Sequence, residues 1–261
     1  MNAYLDVAVE AARVGGAILL EEMDRPRQIS YKGDVDIVTQ ADKRSELAIV
    51  ARLREQFPKH SIVAEEGGGQ ENPSPFRWYI DPLDGTTNYA HGYPCFAVSI
   101  GLEEGGELVA AVVYNPVAQE MFTAARGEGA ILNQKPIRVS SIDTLKTSLV
   151  ATGFPTTKIE QNRNIRHYWD FTLRTHGVRR DGSAALDLAS VACGRFDGFW
   201  EFGLRSWDTA AGTLLVREAG GTVTRFVGAA PYRPGDPEVV ASNALIHAEM
   251  QKLLAEVDAP K

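Results

Sequence analysis

The chain has 261 residues, of which 44% are hydrophobic and 23% charged, with only two cysteines, and this excludes a disordered, collagen-like or disulfide-stapled protein. Its 27 basic against 34 acidic residues leave a net charge of −7, which argues against a surface that coats nucleic acid and against a polybasic membrane anchor. Cys95 and Cys193 lie far apart, with no CxxC and no histidine spacing suited to zinc, so a reducing cytoplasm is the simplest expectation.

A first helix is predicted over residues 3–23, stopped by Pro26. Asp6, Glu10 and Arg13 interrupt its apolar run, so it reads as an amphipathic helix packed on a core and not as a signal peptide or membrane span. The polar stretch YKGDVDIVTQAD leads into a second helix, whose Leu47, Val50, Leu53 and Phe57 recur at helical spacing and predict its buried face. Short strands follow at residues 61–64 and 77–80. The first runs into Glu65-Glu66 and a glycine-rich loop, the second into Asp81-Pro82-Leu83-Asp84-Gly85. From residue 95 to 125, three β-rich runs separated by turn residues predict an antiparallel meander.

After about residue 140 the pattern changes to alternating strands and helices. TSLVATG reads as a strand, residues 158–175 as a helix, GSAALDLASVACG as a small-residue helix and FDGFWEFGL as a strand. WDTAAGTLLVREAGG reads as a helix with Gly220-Gly221 at its C-terminal end, before a closing strand and helix. The expectation is an α/β fold of two closely packed halves, residues 1–140 and 141–261.

Five acids, Asp42, Glu65, Asp81, Asp84 and Asp208, fall at the ends of predicted elements, where the backbone can hold a side chain rigidly over a cleft. Carboxylates without surrounding histidines suit Mg²⁺ or Mn²⁺ better than zinc. Gly85 permits a sharp turn, after which the amides of Gly85, Thr86 and Thr87 open at a helix N-terminus, a ready anion site. Carboxylates for cations beside amides for an anion describe a metal-bridged phosphate site. Other features read as structure. His91 is expected as a structural or surface histidine, with a ligand role as the alternative, Ala210-Ala211-Gly212 in close helix packing, Arg179-Arg180 as a solvated or interface pair, with a local anion contact as the alternative, and Trp200 and Phe202 in a strand core.

WYIDPLDGTTNYAHGYP resembles the first signature of the inositol monophosphatase family, within the lithium-sensitive, magnesium-dependent sugar phosphatase superfamily, and SWDTAAGTLLVREAGG resembles the second. VDIVTQAD, SIVAEEGG, GEGAILNQKPIRVS and RRDGSAALDLASVACGRFDGFWEFG are similar to further family blocks, in the family's order, so the resemblance covers essentially the whole chain. It implies a layered α-β-α-β-α sandwich and a homodimer. Glu65, Asp81 and the Leu83 carbonyl would hold one Mg²⁺; Asp81, Asp84 and Asp208 would hold a second; a weaker third would lean on Glu65 through water. Asp42 and Thr86 would orient and deprotonate the attacking water, and Gly85, Thr86, Thr87 and Lys32 would receive phosphate. Ala184 and Glu201, with Asp84 and Asp208, match positions that touch the substrate's alcohol half.

The implied activity is Mg²⁺-dependent hydrolysis of a small phosphate monoester, foremost inositol-1-phosphate, because Thr86-Thr87-Asn88-Tyr89 follows the inositol branch. Histidinol-phosphate, 3′,5′-nucleotide bisphosphate and fructose-1,6-bisphosphate phosphatases are the alternatives within the superfamily. From another class, some bacterial members associate with transcription antitermination complexes; the acidic charge and lack of a basic stripe weigh against that role, and against nucleic-acid or membrane partners. Glu201 lies in an apolar strand, where a carboxylate needs either a cleft or a partner such as Arg205.

Overall fold

A computed structural model of the chain describes residues 3–23, 29–32, 36–154, 163–228 and 230–258, with only the backbone described for 29–32 and 36–39. The helix α1 (Ala3–Met23) buries Ala8, Ala11, Ala12, Gly15, Gly16 and Leu19, a stripe of mostly small side chains at helical spacing. That stripe lets a second helix approach closely: a Cβ on Gly15 would lie 2.7 Å from Ile49 Cδ1 and 2.8 Å from Ser45 Oγ. The hairpin β1 (Ile29–Lys32) and β2 (Asp36–Thr39) leads into this second helix, α2 (Gln40–Gln56).

Of the predicted buried positions on α2, Val50 and Leu53 are buried, but the helix's inner face is wider than the apolar spacing shows. The helix turns Ala41, Asp42, Ser45, Glu46, Ile49, Val50 and Leu53 inward. Leu47 is 65% exposed, and Phe57 lies past the helix end. Apolar spacing missed the polar part of this face, where Asp42, Ser45 and Glu46 have specific partners, described below.

A seven-stranded sheet follows in sequence order: β3 (Ser61–Ala64), β4 (Phe76–Asp84), β5 (Ala97–Glu104), β6 (Glu107–Asn115), β7 (Glu120–Ala125), β8 (Gly129–Leu132) and β9 (Lys135–Ile137). The helix α3 (Thr86–His91) interrupts it after β4. β3 pairs parallel to β4, and every other pair is antiparallel. The predicted meander is present and continues for two further strands. The strand predicted over residues 77–80 runs on to Asp84, past an irregularity in its pairing with β5 between Asp81 and Asp84.

The second sheet has the order β11-β10-β12-β14-β13, built from β10 (Leu149–Thr152), β11 (Gly177–Arg179), β12 (Gly198–Phe202), β13 (Thr222–Thr224) and β14 (Glu238–Ser242). β10 runs parallel to β11 and β12, while β14 is antiparallel to β12 and β13. Its helices are α4 (Asn164–Arg174), α5 (Ala184–Ala192), α6 (Ser206–Glu218) and α7 (His247–Asp258). Residues 158–162 of the predicted fourth helix lie outside the described residues.

Three cores stack these elements into layers. α1 and α2 cover one face of the large sheet through Leu19, Ile49, Val98 and Ile100. α5 and α6 fill the space between the sheets, where Leu188, Leu214 and Phe199 meet Val113 and Phe122. α4 and α7 cover the far face of the small sheet, with Phe171 stacked on Trp200 at 3.9 Å. This is the expected α-β-α-β-α sandwich. The Ala210-Ala211-Gly212 run sets its central spacing: a Cβ on Gly212 would meet Leu188 Cβ at 2.5 Å, and one on Gly101 would meet Ala210 Cβ at 2.8 Å. Among the described residues no helix is long and apolar enough to cross a membrane.

Candidate active site

The irregularity in β4 is where the acids gather. Asp81 pairs in register with Ser99, but Asp84 is next to pair, with Ala97, so the β4 side holds one residue more than β5 between the two pairs. Such a bulge re-aims side chains. Asp81 is 2% exposed, and its Oδ1 accepts the Leu83 N–H at 2.9 Å. Gly85 then turns the chain at φ 96°, the left-handed region, and a Cβ there would press to 2.8 Å from the Cys95 carbonyl. Glycine is therefore required twice over, and α3 starts at Thr86.

Thr86 Oγ1 lies 3.2 Å from Asp42 Oδ1 and 3.0 Å from the Leu83 carbonyl oxygen. Asp42 occupies the first turn of α2, where unpaired helix N–H groups favour a carboxylate. Asn88 of α3 donates from Nδ2 to the carbonyls of Cys95 and Asp181, both at 2.7 Å, and so fastens the turn to the second half of the chain.

From that second half, Ser183 caps α5, and its hydroxyl donates to Asp84 Oδ2, which also accepts the Ala185 N–H at 2.8 Å. Asp208 sits in the first turn of α6, its Oδ2 accepting the Arg205 N–H at 2.7 Å. Glu65 follows β3 directly, its N–H bonded to the Ile80 carbonyl at 3.2 Å.

These groups face one cavity of about 810 Å³. Of the residues singled out from the sequence, Glu65, Asp81, Leu83, Asp84, Gly85, Thr86 and Thr87 line it from the first half, and Ala184, Glu201 and Asp208 from the second. Asp42 reaches it through Thr86. Lys32 belongs to β1, whose side chains lie outside the described residues.

Burial is the first cause of the electrostatics. It pushes the Asp81 carboxyl well above the usual range, and the charges of Glu65, Asp84 and Asp208 push it further. Burial raises Asp84 to about 6 against the hydrogen bonds from Ser183 and Ala185. Asp208 rises to about 7 through burial and then the charge of Asp84. The four acids thus sense one another across a poorly solvated cavity. Among the described residues no three acid, histidine or cysteine side chains close into a ready ligand cage, and several carboxylate oxygens rest on backbone or serine donors. The donor set is nonetheless that of a hard cation: carboxylates, a carbonyl, and no histidine in the wall. Cys95 stays a thiol, its pKa pushed to about 12 by burial and nearby acids.

Arg179 and Arg180 are both exposed, as expected of solvated residues, but they diverge: Arg180 lines the cavity with its guanidinium 5.8 Å from the Phe154 ring centroid, while Arg179 Nη1 turns to the Val178 carbonyl. One expectation is corrected here. The base that faces Glu201 is Arg180, not Arg205. Burial, Asp208 and Asp84 raise the Glu201 carboxyl well above its usual range, and Arg180 opposes them. Trp200, by contrast, points into the core as expected, its Nε1 donating to Asn164 Oδ1 at 2.6 Å. His91 is exposed at the end of α3.

Sequence reasoning missed Ser45, Glu46, Ser183 and Asp187. Asp187 is 2% exposed, lines the cavity, and is raised well above its usual range by burial and then by Glu201. Ser183 had a readable signal, a serine directly before a small-residue helix.

The sequence profile of the inositol monophosphatase family matches residues 1–259. The chain belongs to this family. Among relatives of this inositol monophosphatase family member, an inositol-1-monophosphatase from Synechocystis sp. is 44% identical over 259 residues, covering 98% of this chain and 90% of the relative. A Nus factor SuhB from Pseudomonas aeruginosa is 48% identical over 237 residues, 87% of each. Among solved structures, the inositol monophosphatase from Anabaena (Nostoc) sp. superposes with a TM-score of 0.86 at 43% identity, over 97% of this chain and 96% of that one. The extragenic suppressor protein suhB from Bartonella henselae does so at 0.90 and 41%, over 97% and 98%.

Proposed function

We propose that this family member is a Mg²⁺-dependent phosphomonoesterase that hydrolyses inositol-1-phosphate to inositol and phosphate with an activated water. One observation carries the reading: Glu65, Asp81, Asp84 and Asp208 share a cavity wall with the Gly85-Thr86-Thr87 turn, and Thr86 is hydrogen-bonded to Asp42 behind it.

Glu65, Asp81 and the Leu83 carbonyl would hold one cation, and Asp81, Asp84 and Asp208 a second, with a third near Glu65; Mn²⁺ meets the same donor requirements. Bound Mg²⁺ supplies the positive charge that a phosphate dianion needs and lowers the pKa of the attacking water. The chain's own residues do the rest. The amides of the Gly85-Thr86-Thr87 turn orient the phosphate. Thr86 positions the water and relays its proton: the hydroxyl takes the water's proton as it gives its own to Asp42, because a neutral hydroxyl is too weak a base to keep it. Glu201 and the Ala184 backbone face the alcohol. The inositol assignment draws support from the Synechocystis relative's name and from the Thr86-Thr87-Asn88-Tyr89 continuation. With it go a homodimeric state and a cytoplasmic location.

The test is phosphate release with Mg²⁺ from inositol-1-phosphate, histidinol phosphate, adenosine 3′,5′-bisphosphate, fructose bisphosphate and glycerol-2-phosphate. The reading expects inositol-1-phosphate to lead in kcat/KM, and Asp84→Asn to lose orders of magnitude while staying folded. Near-normal turnover by folded Asp84→Asn at saturating Mg²⁺ would sink the metal assignment.

A second reading, association with the transcription machinery, is favoured by the Nus factor SuhB relative. It needs a surface that works without catalysis. A pull-down of RNA polymerase components by both the wild type and Asp84→Asn would support it, and capture by neither would end it.

A further inference from the structure

Three separate points in or beside the cavity wall are tied to one helix. On α2, Asp42, Ser45 and Glu46 are buried at 1%, 0% and 2% exposure. Asp42 meets the Thr86 hydroxyl, and Ser45 Oγ donates to the Pro82 carbonyl at 3.2 Å. Glu46 reaches the loop that follows β3: its Oε2 accepts the Glu66 N–H at 2.6 Å and its Oε1 the Gly68 N–H at 2.7 Å.

That loop, Glu65-Glu66-Gly67-Gly68-Gly69, would wander without restraint, because successive glycines carry the largest backbone entropy. Glu46 restrains it at the residue next to Glu65. The Glu65 N–H is itself fixed on the Ile80 carbonyl, so the peptide units on both sides of the Glu65 Cα are held. Two turns further along α2, Arg54 Nη2 donates to the Gly68 carbonyl at 3.1 Å and secures the loop's far side. A carboxylate taken out of water is costly unless donors meet it, and short charge-assisted bonds to two backbone amides are such donors. The contact is also tight: a Cβ on Gly68 would lie 2.7 Å from Glu46 Oε1, although the backbone there does not need glycine's left-handed conformation.

We propose that Glu46 is a positioning residue for the metal site: its carboxylate clamps the Glu66 and Gly68 amides, fixes the direction in which Glu65 enters the cavity, and thereby sets Mg²⁺ affinity. This rests on the reading of Glu65 as a cation ligand. Glu46 does not line the cavity, so it acts through the loop and not on the ion.

The experiment is Mg²⁺ titration calorimetry on the wild type, Glu46→Gln, Gly68→Ala, Glu65→Gln and the Glu46→Gln/Glu65→Gln double variant, with Mg²⁺ dependence of turnover alongside. Glu46→Gln sets an NH₂ group against one of the two amides. Gly68→Ala presses on the same clamp from the loop side without removing a charge, so it tests the idea even where Glu46→Gln folds poorly. Glu46→Gln and Gly68→Ala are each expected to weaken Mg²⁺ binding about 10- to 100-fold, the range for residues that orient metal ligands, with kcat recovering at high Mg²⁺, and Glu65→Gln to weaken binding at least as much. The double variant should bind no more weakly than Glu65→Gln alone, because both changes act on one ligand. Wild-type affinity in Glu46→Gln and Gly68→Ala, beside a weakened Glu65→Gln, would overturn the clamp and leave the metal reading standing. Losses that add in the double variant would overturn it too. Wild-type affinity in Glu65→Gln would remove Glu65 as a ligand, and the clamp's role with it.

Discussion

Thr86 and Asp42, forty-four residues apart in sequence, are joined by a 3.2 Å contact from Thr86 Oγ1 to Asp42 Oδ1. The same hydroxyl is 3.0 Å from the Leu83 carbonyl and has one proton to give, so the two acceptors compete for it. In the proposed reaction the proton goes to Asp42, which leaves the hydroxyl oxygen free to accept from water. Thr86→Ala and Asp42→Asn should each lower kcat by about 10²- to 10⁴-fold at saturating Mg²⁺, the usual range for a lost acid–base step. Thr86→Ser keeps the hydroxyl and should stay within about tenfold of wild type, on the same ground. Steady-state phosphate release, with circular dichroism to confirm folding, checks all three. Full activity in Thr86→Ala would take the hydroxyl out of the proton path.

The crowded acids make the metal-free protein's stability depend on pH. Folding raises Asp84 to about 6 and Asp208 to about 7 from an ordinary 3.8, so the native state holds protons that the unfolded chain has released. Stability therefore falls as pH rises: these groups cost nothing below the unfolded value, and the loss is complete once pH passes the folded values. In EDTA the melting temperature should drop between about pH 4 and 7, the window set by these shifts. Mg²⁺ at about a hundred times its Kd would add about 2.7 kcal/mol at neutral pH by mass action. That amounts to an upward shift of roughly 5–10 °C for a chain of this size. A midpoint indifferent to both EDTA and Mg²⁺ at pH 7.5 would mean that the acids do not share a cation.

Gly212 tests the packing that brings Asp208 to the cavity. A methyl group there would overlap the Leu188 side chain of α5, with contacts of 2.5 Å to Cβ and Cδ1, so α6 would have to move away. Overpacking of this kind costs about 1–3 kcal/mol. Gly212→Ala should therefore lower the melting temperature and, because α6 carries Asp208, weaken Mg²⁺ activation as well. Wild-type melting and metal dependence together would show that the helix pair has slack.

How far the sequence could be read follows from what each contact depends on. The Gly85 turn, the small-residue helix and the acids Asp42, Glu65, Asp84 and Asp208 at element ends are local patterns and stand where the sequence placed them, whereas Asp81 lies inside β4 at its bulge. On the inner face of α2 only Val50 and Leu53 were legible, because Asp42, Ser45 and Glu46 are polar and point to Thr86, Pro82 and the Glu66-Gly68 loop. Hydrophobic spacing chose Leu47 instead, which is exposed. The sequence likewise gives no distance between Arg180 and Glu201, twenty-one positions apart; only the sheet order β11-β10-β12 carries their strands to one cavity. Charged residues with long-range partners are what pattern reading cannot reach.

Glu201 lies in β12 between Trp200, which packs into the core, and Phe202, and it is buried at 7% exposure yet lines the cavity. Its neighbour across the wall is Gly153, where a Cβ would come within 2.3 Å of both Glu201 carboxylate oxygens. The carboxylate thus occupies space that any larger residue at 153 would claim. Burial, then Asp208 and Asp84, raise the Glu201 carboxyl well above the usual range, and Arg180 opposes them. Glu201→Gln keeps the shape and removes the charge-assisted acceptor; Gly153→Ala keeps the acid and displaces it. Both should raise KM for inositol-1-phosphate by about tenfold, the worth of one such hydrogen bond, and leave kcat for a minimal phosphate ester near wild type. The two substrates measured on the two variants, with melting curves, separate recognition from scaffold. Equal losses on both substrates would assign Glu201 to the fold and move recognition of the alcohol elsewhere, to Arg180 or Asp187 first.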